Sequence, residues 1–350
     1  MNGKGFFAVR RRFPACAYVV FLPCLFLALT AAAASRIRLQ SQLKPGETLY
    51  YQIETHTSST GKTTTPIINP EGGTKFSDNI DLLVRLDVLP PAAGHANPSA
   101  ASPPGLDAQP VRIRATYERA HADSQTDVPA FDAPSPANNY DQLQGHSIEL
   151  TLEPSGVITD LKDPDNIFPH VSAASPALSW IQIPESGSSY PRRGIAIGDK
   201  WSNDKPLDSA PLVGLVLHSE STYLRNERCK IPQDKIDNQA KAAAESGAQE
   251  CAVILTQFEI VRRGSAHADR TPPDFLHHGL RTAGTLTGSG ERLDSFSIAA
   301  GLLVSSTQTS TQRADFDIID AANGEKIHRA GEIQVQTVIT RVDAPPVLKP

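Results

Sequence analysis

The stretch HADRTPPDFLHHGL, His267 to Leu280, gathers three of the chain's ten histidines with Asp269 and Asp274. Imidazoles and carboxylates at this density are the ligand types of a zinc site, which needs three or four converging donors and supporting partners behind them. The spacing speaks against one. His277 and His278 are adjacent, so on an extended chain they point to opposite faces. His267 lies beyond Thr271-Pro272-Pro273. The stretch reads as a polar loop leading into a strand from Gly279, and no metal is expected there.

Other chemistry is equally sparse. In ITDLKDPDN, Asp160, Asp163 and Asp165 could suggest calcium, but the glycine and the distal bidentate glutamate of the helix-loop-helix calcium loop are missing. A turn between a strand and a crossover accounts for them. The chain has no G-x-S-x-G, no H-E-x-x-H, no phosphate loop and no dinucleotide fingerprint. Gly288-Ser289-Gly290 reads as a kink or bulge between strands. Carboxylate pairs for glycoside hydrolysis meet only in the fold, so spacing is silent on them. Aromatic residues are only 6% of the chain, however, and sugar clefts need aromatic platforms. No cofactor is expected, and an enzyme ranks below the non-enzymatic readings.

Two tryptophans remain. Trp180 ends an apolar stretch broken by prolines, and Trp201 follows Gly198-Asp199-Lys200. Both fit a core cap, and both fit the rim of a hollow receiving an apolar ligand. The sole methionine is Met1, so no methionine-rich adaptable surface is present.

The elements that must position these residues are strands. In NIDLLVRLDVL, Ile80, Leu82, Val84, Leu86 and Val88 share one face, while Asp81, Arg85 and Asp87 take the other. VRIRATYER repeats the plan with Val111, Ile113, Ala115 and Tyr117. HSIELTLEP gives Ile148, Leu150 and Leu152, and EIQVQTVIT gives Ile333, Val335, Thr337 and Ile339. One greasy and one wet face is the pattern of an antiparallel sheet. Helical periodicity is confined to DNIFPHVSAASPALSWIQIP, where Pro169 and Pro176 interrupt the stripe of Ile167, Phe168, Val171, Leu178 and Ile181. The Pro/Ala/Gly/Ser-rich segment from Pro90 and the segment from Lys235, which lacks an apolar face, read as excursions between strands.

The two halves match each other. LKPGETLYYQIET, two alternating strands and GHSIELTLEPSGVITDL correspond to IAIGDKWSNDKPL, two alternating strands and GTLTGSGERLDSFSIAAGLLVSS. Each opens on a Gly-acid step and closes on a strand, a small-residue turn and a second strand. The expectation is a mainly β protein whose large antiparallel curved sheet, or half-barrels, come from two related halves. Residues 1–34 form a signal peptide, 35–165 the first half, 166–193 a broken helical crossover, 194–342 the second half and 343–350 a tail.

Export follows from Lys4 and Arg10-Arg11-Arg12 ahead of CAYVVFLPCLFLALT and AAAAS, a run too short for a stable membrane span. Removing residues 1–34 takes away those four cations and no acid, which moves the formal charge from -5 to -9. Without a basic block, nucleic acid is a poor partner. Of four cysteines, Cys16 and Cys24 leave with the signal. Cys229 and Cys251 then read as one disulfide of a periplasmic or secreted protein. They would face each other where STYLRNERC pairs with CAVILTQFEI.

The run GTLTGSGERLDSFSIAAGLLVSSTQTST, Gly284 to Thr311, together with IAIGDKW, resembles uncharacterised exported bacterial proteins. More distantly the layout is similar to periplasmic half-barrels that carry lipoproteins or glycolipids, in which a curved sheet wraps a helix over an apolar hollow. That resemblance implies handling of an apolar ligand. The leading expectation is therefore non-enzymatic binding or carriage of an apolar or lipid-like molecule, lined by Ile80, Leu82, Val84, Ile148, Leu150, Trp180 and Trp201. The alternative is a structural module that holds envelope protein partners without a small ligand. A carrier leaves a hollow against its greasy face; a scaffold packs it.

Overall fold

Period-two patterning becomes eleven strands: β1 Thr48–Thr64, β2 Thr74–Leu89, β3 Val111–Thr126, β4 Ser147–Leu152, β5 Ile158–Lys162, β6 Lys200–Pro206, β7 Leu215–Arg228, β8 Glu250–Arg262, β9 Leu280–Ser297, β10 Leu302–Asp320 and β11 Lys326–Val342. The computed structural model describes residues 36–39, 42–64, 73–90, 110–127, 140–153, 158–164, 190–191, 193–207, 210–229, 249–264 and 271–342. The expected signal segment, Trp180, His267, the expected tail and all of the expected crossover except Tyr190, Pro191 and Arg193 lie outside them.

All eleven strands join one antiparallel sheet in the order β5-β4-β3-β2-β1-β11-β10-β9-β8-β7-β6. Chain order is thus kept but cyclically permuted, with β5 and β6 at the two edges. The halves meet where β1 pairs with β11 from Tyr50↔Val342 to Thr64↔His328. Both belong to the unit Arg36–Pro350. Tyr51 fastens the junction: its buried hydroxyl donates to the Leu303 carbonyl at 3.0 Å, reaching across β11 to β10.

Both halves open on the same turn. Gly46 and Gly198 have φ of 85° and 89°, the left-handed region where a Cβ is strained. Gly46 N–H donates to the Val88 carbonyl at 2.8 Å and Val88 N–H returns to Glu47 at 2.9 Å. In the second half Gly198 N–H donates to Tyr223 at 2.7 Å and Tyr223 N–H returns to Asp199 at 3.1 Å. The acid closes each turn with its own carboxylate: Glu47 accepts from the Lys44 N–H, and Asp199 from the Ala196 N–H, each at 3.1 Å. A Gly-acid step serves one physical purpose twice, which is to start a strand against the end of the strand after it.

The apolar alternation lies on one face. Tyr51, Ile53, Leu82, Val84, Ile113, Tyr117, Ile148 and Leu150 are at most 2% exposed and belong to one cluster with Ile254 and Phe296. Fully burying one such aliphatic side chain is worth about 1.5–3 kcal/mol. A bulge on β3, between Leu83 and Val84 of the facing β2, lets Tyr117 and Ala120 both join that face. At the β5 edge a second bulge, with Asp160 at φ 51°, breaks the regular edge that would otherwise invite another strand.

Two expectations are corrected. The loop assigned to Thr271–Gly279 contains a helical turn, α1, Pro273–His277, which Pro at its start favours and whose last carbonyls bond to His278 and Gly279. Gly288-Ser289-Gly290 is not a bulge: β9 keeps its register with β10 through Gly290↔Ser310 and Gly288↔Gln312. Glycine is used there for space. A Cβ on Gly290 would come within 2.8 Å of the Phe258 ring, and one on Gly288 within 3.0 Å of Ile260 Cδ1. The disulfide joins Cys229 to Cys251 with Cα atoms 5.0 Å apart, where β7 and β8 pair as consecutive strands.

Candidate functional site

The two faces of the sheet differ in chemistry, and cross-strand register shows how. On the wet face one transverse row reads Asp123, Asn79, His56, Gln336, Thr309, Glu291, Gln257, Glu220, Ser202. The next row is also polar throughout, from Gln125 through Ser58, Thr311 and Glu259 to His218 and Asp204. These rows line an open groove of about 790 Å³. His218 and Arg263 hold Asp204 at 2.6 and 3.0 Å, and those contacts keep its carboxyl below the ordinary range. Among the described residues no three metal-ligating side chains come together. His277 and His278 are exposed at the end of α1.

On the greasy face, the expected lining residues Ile80, Leu82, Val84, Ile148 and Leu150 are 0–3% exposed within the packed cluster. Trp201 packs against that same cluster from β6. The first half is mostly apolar there, apart from Thr55 and the Asp78–Ser124 pair. The second half is less so. The row through Trp201 continues as Ser221, Thr256, Arg292, Gln308 and Thr337 before it reaches Thr55, Ile80 and Ala122 of the first half. Ser221 and Thr256 share a hydrogen bond at 2.9 Å, and Thr55 and Thr337 one at 3.3 Å.

The centre of this polar insertion is Arg292 and Asp294, two residues apart on β9 and so on one face. Arg292 Nε donates to Asp294 Oδ2 at 2.9 Å, with side-chain exposures of 20% and 1%. Asp294 raises the Arg292 pKa, so the guanidinium keeps its charge. Over the pair sits Tyr190, its ring edge-on to Trp201 at 5.8 Å and to Phe296 at 5.6 Å. Burial first, then the Asp294 charge, push the Tyr190 hydroxyl pKa up, so it remains a neutral donor. Three buried polar atoms here have no hydrogen-bond partner among the described residues: Tyr190 Oη, Trp201 Nε1 and Asp294 Oδ1. An unmatched buried donor or acceptor costs about 1–3 kcal/mol, so three on Tyr190 and the residues it neighbours is an unusual concentration. Sequence reading named Trp201 alone; ERLDSFS offered a signal in an acid placed where its strand alternates inward.

Beyond this cluster the greasy face fades toward solvent. Along β11, Ile339 is 5% exposed, Thr337 9%, Val335 half-buried and Ile333 43%. Register sets Val335 in a row with Phe258, and Ile333 in a row with Phe76, Ile260 and Leu217, all half-buried. Glycines 288 and 290 form the floor between them.

No family model matches the chain, and no curated protein matches it. A solved structure described as "lipid-protein interactions in lipovitellin" is distantly similar, at 10% identity and a TM-score of 0.40, over 88% of this chain and 27% of that one.

Proposed function

We propose that this is an exported, periplasmic or secreted protein that binds or carries an apolar, lipid-like molecule without chemical transformation. One observation carries the reading: beyond its packed core the greasy face still presents apolar side chains partly open to water, Phe76, Leu217, Phe258, Ile260 and Val335 half-buried and Ile333 43% exposed, in a strip interrupted by Ser59, Ser310 and Gln312. Side chains that face water in this way gain roughly 25 cal/mol for each Å² an acyl chain covers. Export accords with the Cys229–Cys251 disulfide, a bond that persists in oxidising compartments.

Native mass spectrometry of the chain purified from its own cell envelope tests this. A lipid-sized adduct is expected on the wild type and not on Val335→Glu, whose carboxylate would sit in the strip. Repeated recovery of a bare wild-type chain overturns the reading. A second reading, an envelope interaction module, is favoured by the polar groove from β1 to β7. On that reading a folded protein partner is retained by the wild type and by Val335→Glu alike.

A further inference from the structure

The apolar strip and the unmatched polar atoms adjoin. Arg292 lies one transverse row from Gly290 and Phe258, and a row step along a strand is about 6.6 Å. Asp294 lies one row further, about 13 Å from Gly290, so a ligand that lies along β9 from Phe258 passes Arg292 before its end comes to Asp294 and Tyr190. The chemistry of that end follows from what is unmatched. Trp201 Nε1 can only donate, Asp294 Oδ1 can only accept, and the Tyr190 hydroxyl can do either. Arg292 and Asp294 neutralise each other, so the cluster has no net charge to offer an ion. At Tyr190 the negative influence of Asp294 exceeds the positive influence of Arg292, which disfavours an anion there.

We propose that Tyr190, Trp201 and Asp294 bind the uncharged, hydroxyl-bearing head of an acyl-chain amphiphile, of the glycerol-ester class, whose tail lies along the strip beside Phe258 and Val335. The indole N–H and the tyrosine hydroxyl donate to head oxygens, and Asp294 Oδ1 accepts a head hydroxyl. Arg292 is a positioning residue: its Nε fixes the other carboxylate oxygen and leaves Oδ1 free for the ligand. This inference rests on the apolar-ligand reading above and narrows it to one head chemistry.

Equilibrium binding of three radiolabelled probes of equal chain length, each below its aggregation concentration, tests it on the mature chain: 1-monopalmitoylglycerol, palmitate and methyl palmitate. The glycerol ester should bind about 10-fold tighter than methyl palmitate, as expected for one to two net hydrogen bonds, and tighter than palmitate. Tyr190→Phe and Trp201→Phe should each weaken the glycerol ester about 5-fold and methyl palmitate, which offers only ester oxygens to the same donors, by less. Because Tyr190→Phe removes only a polar atom without a partner, it should not lower the melting temperature, whereas Trp201→Phe also removes packed volume and should lower it somewhat. A purely structural role for Tyr190 predicts the reverse, with stability altered and probe preference intact. Equal binding of the three probes, or preference for palmitate, overturns the head assignment while the apolar reading stands. Failure of all three to bind overturns the apolar reading and the head assignment with it.

Discussion

The two halves of the sheet start from the same turn and end with different greasy faces. In the first, a transverse row reads Thr55, Ile80, Ala122; in the second, the same row reads Thr337, Gln308, Arg292, Thr256, Ser221, Trp201. A strand needs only one apolar face to be held, and the first half spends most of its inward positions on it, Thr55, Asp78 and Ser124 apart. The second half gives some of that stabilisation up. Buried polar groups lower stability unless fully paired, and here Asp294, Tyr190 and Trp201 are not. The wet faces are alike: Lys200 meets Glu220 at 3.2 Å and Arg313 meets Glu332 at 2.6 Å in the second half. In the first half Arg119 meets Asp81 at 2.9 Å and Arg114 meets Glu149 at 2.7 Å, and Arg114 with Arg112 holds the Glu149 carboxyl below its ordinary range. Exposed pairs of this kind contribute about 0–1 kcal/mol each.

The contrast breaks first at the core. Leu82→Ala should lower unfolding free energy in urea by about 2–5 kcal/mol while leaving lipid binding by the remaining folded protein unchanged. If binding falls in proportion to the loss of stability in other core variants too, the halves are not separable. Next in size is the link that pins β7 to β8. Replacing both Cys229 and Cys251 by Ser frees a 22-residue step and should cost about 3 kcal/mol, read from the shift in urea midpoint.

The shared turn sharpens the comparison. Gly46→Ala and Gly198→Ala each place a Cβ at positive φ where no neighbouring atom lies within 4 Å, so strain alone acts. Each should cost about 1–2 kcal/mol, and the two costs should agree; a large disparity in thermal unfolding would mean that the turns are not equivalent. The smallest effect is one of pH. Burial raises the pKa of Asp78, against a hydrogen bond from Ser124 that lowers it. A raised folded pKa means that the fold is favoured by protonation and loses stability as pH rises from the ordinary carboxylate range through the raised value. Asp78→Asn should therefore be the more stable protein at neutral pH, with the advantage shrinking on acidification, as urea titrations at pH 7 and pH 4 would show.

Alternation made the strands legible because a side-chain period of two is a local property: Ile80, Leu82 and Val84, or Ile148 and Leu150, announce a buried face without any neighbour. The cysteines were legible for a similar reason, since two strands joined by one excursion have few ways to pair. Local pattern failed where a residue's role depends on what stands across from it. Gly288 and Gly290 look like a kink until Phe258 and Ile260 occupy the space above them. Asp294 looks like any surface acid in ERLDSFS until its strand is given a direction and a face.

The sequence by itself determined the antiparallel β class, the Gly-acid openings, the disulfide and the inward sets of β2, β3, β4 and β11, all of which rest on contacts near in the chain or on simple periodicity. Only the tertiary structure decided that β1 pairs with β11 to make one sheet of both halves, and that Tyr190, Trp201 and Asp294, far apart in the chain, come together beside an apolar strip. Those arrangements depend on register across strands, where a shift of one residue turns a side chain from the core to water, and no stretch of sequence read alone contains that information.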